Sequence, residues 1–166
     1  MVLLGTSRAA AQVHYDVGAL ATFQQRVASV AEGGGLTLDG HIALFPLLRV
    51  GAYATGEVSE RLDGSPTREL VGGGLQLKIV PPWPRGVWRA WVATGFGYVG
   101  VITSGAGGGF FEIPAIVGAS YRIRKPVVFL MELGARFGFG FWGSYYAPSG
   151  TDGVSLTLSL GIGIDG

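Results

Sequence analysis

The stretch Phe129–Gly143, FLMELGARFGFGFWG, decides the fold. Every second residue gives Phe129, Met131, Leu133, Ala135, Phe137, Phe139 and Phe141, an unbroken apolar row. The alternate row is Leu130, Glu132, Gly134, Arg136, Gly138, Gly140 and Trp142. A period of two is that of a β-strand, whose successive side chains point to opposite faces. One face is therefore uniformly apolar, and the other is mostly small with isolated charges.

The same alternation recurs along the chain. VSLTLSLGIGI sets Val154, Leu156, Leu158, Leu160, Ile162 and Ile164 against Ser155, Thr157, Ser159, Gly161 and Gly163. Period-two segments bounded by turn residues predict eight strands, at about 12–23, 36–44, 48–57, 69–80, 87–100, 110–123, 127–142 and 154–164. Their connections alternate: QQRVASVAEGGG, VSERLDGSPTR, VITSGAGGG and GSYYAPSGTDG are long, whereas FPL, PPWPRG and RKP are short. Four long loops at one end and three turns at the other fit an antiparallel up-and-down meander. EGGG and GAGGG are taken as flexible parts of those loops, since neither sits between a strand and a helix.

Two environments could receive the apolar row. In a soluble barrel it would fill the interior, and the other row would meet water, where long polar side chains are usual. The row in question is instead largely glycine and serine, and glycine on an exposed strand weakens it. With the apolar row facing lipid, both rows make sense. An eight-stranded barrel is so narrow that side chains fill it, and glycines at 72, 74, 95, 97, 118, 134, 138 and 140 leave room for inward Arg89, Trp91, Arg122 and Arg136. Glu112, Glu132, Asp16 and Asp39 can pair there with Arg49, Lys78, Arg122 and Arg136, with Arg122 and Glu112 as the expected cross-strand partners of Glu132 and Arg136. Closure also pairs every backbone donor and acceptor, as hydrocarbon demands.

Composition agrees. The 166 residues are 48% apolar and 14% charged, with thirty glycines, no cysteine and a net charge of +1; mean hydropathy is +0.42. Such a balance offers no concentrated basic patch for nucleic acid, and without cysteine neither a disulfide nor a thiolate metal site can form. No run reaches the roughly 18 apolar residues of a membrane-spanning helix. Aromatics near strand ends suit two interfacial girdles: Tyr98, Phe110, Phe111, Trp142, Tyr145 and Tyr146 on the loop side, and Phe45, Trp83 and Trp88 on the turn side.

These features resemble the small eight-stranded outer-membrane barrels of the OmpA-like and OmpX-like type. WPRGVWRAWVATGFGYVG, GGGFFEIPAIVGASYRIRKP and ELGARFGFGFWGSYY look most like outer-membrane barrels of myxobacteria and related delta-proteobacteria. The resemblance spans residues 12–164 and carries no catalytic motif. It implies an outer-membrane location, contact with membrane lipids and lipopolysaccharide, insertion from the periplasm by the outer-membrane machinery, and a monomer. Such barrels commonly finish on an aromatic residue read by that machinery, whereas this chain finishes Ile164-Asp165-Gly166. Either that end is trimmed or its signal is weak. Residues 1–11, ending Ala9-Ala10-Ala11, are either the end of a signal peptide or a frayed terminus; residues 12–166 form one barrel domain.

Candidate chemistry is confined to His14-x-Asp16 and Asp39-x-His41, which run antiparallel on inward rows of the first two strands. Imidazole and carboxylate can ligate divalent metals or form an acid–base pair. A hydrogen-bonded network filling the lumen is the preferred interpretation, since buried charges must be paired. There is no G-x-S-x-G elbow, phosphate loop or H-E-x-x-H pattern. No catalytic residue, cofactor or metal is assigned. A non-enzymatic barrel with a structural or surface-interaction role leads, ahead of a membrane-embedded lipid-modifying hydrolase, a narrow solute pore and a soluble lipocalin-like carrier.

Overall fold

The computed structural model describes residues 14–26, 31–61, 67–82, 86–103, 106–143 and 153–166. Eight strands follow one another: β1 (Tyr15–Arg26), β2 (Ala31–Ala43), β3 (Leu48–Arg61), β4 (Arg68–Ile79), β5 (Trp88–Thr103), β6 (Ala106–Arg124), β7 (Val127–Gly143) and β8 (Val154–Asp165). Each pairs antiparallel with its sequence neighbours, and β1 pairs with β8 from Asp16↔Asp165 to Arg26↔Ser155, closing an up-and-down barrel. Strand lengths from 12 residues in β1 to 19 in β6 exceed the roughly 9–11 tilted residues that cross hydrocarbon. Residues 1–11, Trp83, Tyr145 and Tyr146 lie outside the described residues.

The radial directions decide the question raised by the alternation. Phe137 and Leu133 are exposed, at 45% and 63%, whereas the Arg136 side chain is turned inward. Exposed large apolar side chains lie on all eight strands, from Val17, Leu38, Val58 and Leu75 to Val92, Val117, Leu133 and Leu160. The interior holds Thr22, Gln24, His41, Glu57, Gln76, Lys78, Glu112 and Ser159. A soluble fold would not coat itself continuously with Leu, Val and Phe and bury its charges, so the exterior is built for lipid.

The interior is less uniformly polar than the alternation implies. Leu20, Trp91, Ala93, Val128 and Leu130 form an apolar cluster toward the turn end. Leu70, Val99, Val101 and Phe110 form another toward the loop end, with Phe141 packed against it. These two clusters account for the few large apolar residues on the inner row, and the turn-end one shares a cavity with Asp16, Arg49, Lys78 and Asp165.

Several expectations are corrected. Phe141 and Trp142 exchange faces: Phe141 packs inside against Phe110, ring centroids 5.0 Å apart, while Trp142 is exposed. The cause is a β-bulge. Phe111 pairs with Phe139 but Gly109 with Trp142, so β7 carries one extra residue, and Gly140 absorbs it at φ 65°. Gly140 therefore turns the chain and is exposed; it does not make room in the lumen. Phe110, expected in the girdle, is buried in the loop-end cluster.

The glycine-rich stretches are not loops either: Glu32–Gly35 belongs to β2 and Ala106–Gly109 to β6. A Cβ at Gly33 would stand 2.8 Å from the Val58 carbonyl oxygen, so glycine there permits close strand approach. The strands consequently extend into the expected long loops, leaving 27–30, 62–67, 104–105 and 144–153 as connections at that end. Four uniformly long loops are not what joins them. The exposed girdle retains Tyr98, Phe111 and Trp142 on the loop side. On the turn side Phe45 and Trp88 are joined by Tyr15 and Tyr121, with Trp88 and Tyr121 rings 5.0 Å apart.

A candidate functional site in the barrel lumen

The inward rows of β1–β4 line up Asp16, His41, Gly51 and Gln76, each opposite the next across the sheet. Gly51 has no side chain, which lets the His41 ring lie over it; a Cβ there would stand 2.6 Å from His41 Cδ2. His41 thus spans β3, placing Nε2 2.7 Å from Gln76 Oε1 and Nδ1 2.9 Å from Asp16 Oδ1. Asp39, two residues along β2, brings Oδ2 to 3.4 Å from the same Nδ1.

Asp16 also accepts from Arg49 and from Lys78, whose Nζ lies 2.9 Å from Oδ1. Lys78 sits over the Trp91 ring, 4.2 Å from its centroid. At the turn-end mouth Asp165 accepts from Arg89 and lies 3.6 Å from Arg49.

Three of the four residues in the expected histidine–aspartate cluster come together: Asp16, Asp39 and His41. His14 does not join them. It precedes β1, is exposed, and its Nδ1 lies 3.3 Å from the Gly166 carbonyl oxygen. The two-residue spacing put His14 on the inward row of a strand starting at 12, but pairing begins at Tyr15. An acid–base arrangement with two histidines is therefore absent among the described residues.

Higher in the lumen the pairing differs from the expected one. Arg136 donates to Glu57 Oε1 at 2.7 Å, linking β7 to β3 across the interior. Tyr53 lies over Gly97, where a Cβ would be 3.0 Å from its Cζ, and donates to Glu112 Oε1 at 2.7 Å. A chain of hydroxyls runs from Ser159 to Thr22 (3.0 Å), Thr37 (3.0 Å) and Thr55 (3.3 Å), and Thr55 donates to Glu57 at 2.9 Å. In so narrow a barrel, opposite walls are within reach of one long side chain, so partners need not be on adjacent strands. Glu57, Tyr53 and the threonines all fall on inward rows of the sequence, but only register and diameter select their partners.

Little open space remains inside. Cavities of about 20 Å³ (Glu57, Glu112, Arg136), 30 Å³ (Asp16, Lys78, Trp91) and 20 Å³ (Thr37, Asp39, Glu132) hold little more than single waters. A vestibule of about 490 Å³, lined by His14, Phe45, Arg49, Pro81 and Arg89, opens at the turn end.

Neither a protein-family model nor a curated protein matches the sequence. Solved structures do. Neisserial surface protein A aligns with a TM-score of 0.66 over 92% of this chain and 96% of its own, at 12% identity. The fold is that of the small outer-membrane barrels. A major outer membrane protein from Thermus thermophilus aligns equally well, with a TM-score of 0.66, 93% and 99% coverage and 16% identity. OprG from Pseudomonas aeruginosa gives 0.66, 92% and 95%, and 12%. At these identities the likeness is one of architecture alone, that of a small outer-membrane-type barrel.

Proposed function

We propose that this chain is an integral outer-membrane barrel with a structural or surface-interaction role and no enzymatic activity. The observation that carries this reading is the packed lumen. Among the described residues, ion pairs, hydroxyl networks and two apolar clusters fill it, and the cavities lined by Glu57, Lys78 and Asp39 are water-sized. These interior spaces fall far below a substrate cleft, which usually measures some 300–1,000 Å³; the vestibule of about 490 Å³ reaches that size but lies at the turn-end mouth. The surface assigned to a partner is the loop end of the strands, where Arg26, Arg61, Thr103 and Gly143 lead into the connections. The barrel contacts lipids through its exterior, with lipopolysaccharide at the loop end. It enters from the periplasmic side through the insertion machinery and acts as a monomer. The narrower kinship with myxobacterial barrels rests on the three phrases quoted from the sequence.

Two measurements test this. An epitope inserted at Gly150 should be labelled by antibody on intact cells, with the protein in the outer-membrane fraction; labelling only after lysis would overturn the orientation or the location. Purified protein in a planar bilayer should conduct no more than bare lipid. Discrete conductance steps would replace the proposed role by that of a pore.

A further inference from the structure

We propose that Asp16, Asp39 and His41 form a binding site for a first-row divalent cation of the zinc type, inside the lumen at the junction of β1 and β2. This inference concerns the interior and does not rest on the surface role proposed above. The starting point is a hydrogen bond. Gln76 Oε1 can only accept, so the 2.7 Å contact from His41 Nε2 places the imidazole proton on Nε2. In the neutral ring Nδ1 then offers a lone pair, and it faces two carboxylate oxygens at 2.9 and 3.4 Å. Carboxylate oxygens also only accept. In that state three acceptors converge in a buried place, and a cation bound among them would offset their repulsion beyond what Lys78, 2.9 Å from Asp16 Oδ1, supplies.

The geometry points to a metal as that centre. The three ligand atoms lie within 4.8 Å of one another. Tetrahedral coordination at bonds of about 2.0–2.2 Å separates ligand atoms by roughly 3.4 Å, and one nitrogen with two carboxylates suits zinc or its neighbours better than calcium or magnesium. A proton on Nδ1 would need one oxygen, yet two are supplied. The second comes from a side chain only 8% exposed, and its other oxygen, Oδ1, has no hydrogen-bond partner. A ligating histidine typically donates its far N–H to a carbonyl or carboxylate oxygen, which is what Gln76 receives. Asp39 also borders the cavity of about 20 Å³ shared with Thr37 and Glu132, which has room for one water as a fourth ligand. Asp16 borders the neighbouring cavity with Arg49, and Arg49 in turn lines the turn-end vestibule, so entry is from that side.

Lys78 is the ion's internal competitor. Its Nζ shares Asp16 Oδ1, and its seat over the Trp91 ring lets it stay in the lumen when the metal takes that oxygen.

The test uses untagged full-length protein in detergent micelles, titrated with ZnCl2 by calorimetry and with CoCl2 by visible absorption. The expected results are one ion per chain and a tetrahedral-type cobalt spectrum. His41→Ala should abolish both, and His14→Ala should change neither. Gln76→Leu should weaken binding about 10- to 100-fold. Lys78→Gln should tighten it at least about tenfold by removing a like charge. Where His41→Ala fails to refold, X-ray absorption on zinc-loaded wild type supplies the readout: one imidazole nitrogen with oxygen neighbours is expected. The proposal is overturned if wild type takes up no stoichiometric zinc, if binding survives His41→Ala, or if absorption shows two or more imidazoles. Unchanged affinity in Lys78→Gln would remove its competitive part.

Discussion

Replacing Leu133 by arginine tests the direction of the outer row at its most sensitive point. Leu133 is 63% exposed and lies opposite Val117 on one side and Leu158 on the other, both also exposed. Its depth can be read from the girdles. Phe129 pairs with Tyr121 toward the turn end and Phe139 with Phe111 toward the loop end, so Leu133 falls close to the middle of the apolar band. An arginine at the bilayer midplane of a barrel costs about 2–4 kcal/mol, against about 0–1 near the interfaces. At about 1.4 kcal/mol per tenfold, the folding constant in lipid should fall roughly 30- to 700-fold. The assay is reversible denaturant unfolding in phospholipid vesicles, followed by tryptophan fluorescence. Trp142→Arg, on the same strand near the interface, serves as the depth control and should cost less. If Leu133→Arg were as stable as wild type in vesicles, or no worse than Trp142→Arg, the outer row would not face hydrocarbon and the membrane interpretation would fail.

Other perturbations probe the interior. Arg136→Met leaves the Glu57 carboxylate buried without the Arg136 donor and should cost about 3–5 kcal/mol, partly recovered when Glu57→Leu is added; the same vesicle unfolding measures both. Gly118→Ala puts a Cβ 2.5 Å from Trp91 Cζ2 and should destabilise by about 1–3 kcal/mol with a changed tryptophan emission, an effect that Trp91→Val should relieve. Gly140→Ala forces a side chain onto a backbone at φ 65°, at a cost of about 1–2 kcal/mol. Loss of the Phe110–Phe141 ring contact in NMR spectra would accompany it if the bulge shifts.

Eight strands, their order and their two faces were legible because side-chain period is a local property: Leu133 and Arg136 alternate correctly whatever the rest of the chain does. Closure was legible for a global reason, since an open edge in hydrocarbon leaves backbone groups unpaired. Strand ends were less so. Glycine is a loop signal in water, and nothing local in Glu32–Gly35 or Ala106–Gly109 says that backbone comes near enough at Gly33, Gly35 and Gly109 to exclude a Cβ. The exchange of Phe141 and Trp142 was hidden for a related reason. One inserted residue reverses every later face, and Gly140 reads as one more small inward residue until its φ is known.

The candidate site divides along the same line. Asp16, Asp39 and His41 share inward rows of neighbouring strands, so sequence alone could group them, and it wrongly added His14 because strand onset was off by a few residues. Gln76 was beyond such reasoning, because its contact with His41 crosses β3 at Gly51 and depends on register. Glu57 with Arg136, and Tyr53 with Glu112, depend further on barrel diameter. As far as the bulge at Gly140, the sequence by itself determined which side chains meet lipid and which meet one another's company inside, since alternation is written residue by residue. Only the tertiary structure decided which inward groups touch, because shear and closure bring strands that are distant in sequence to within one side chain's length.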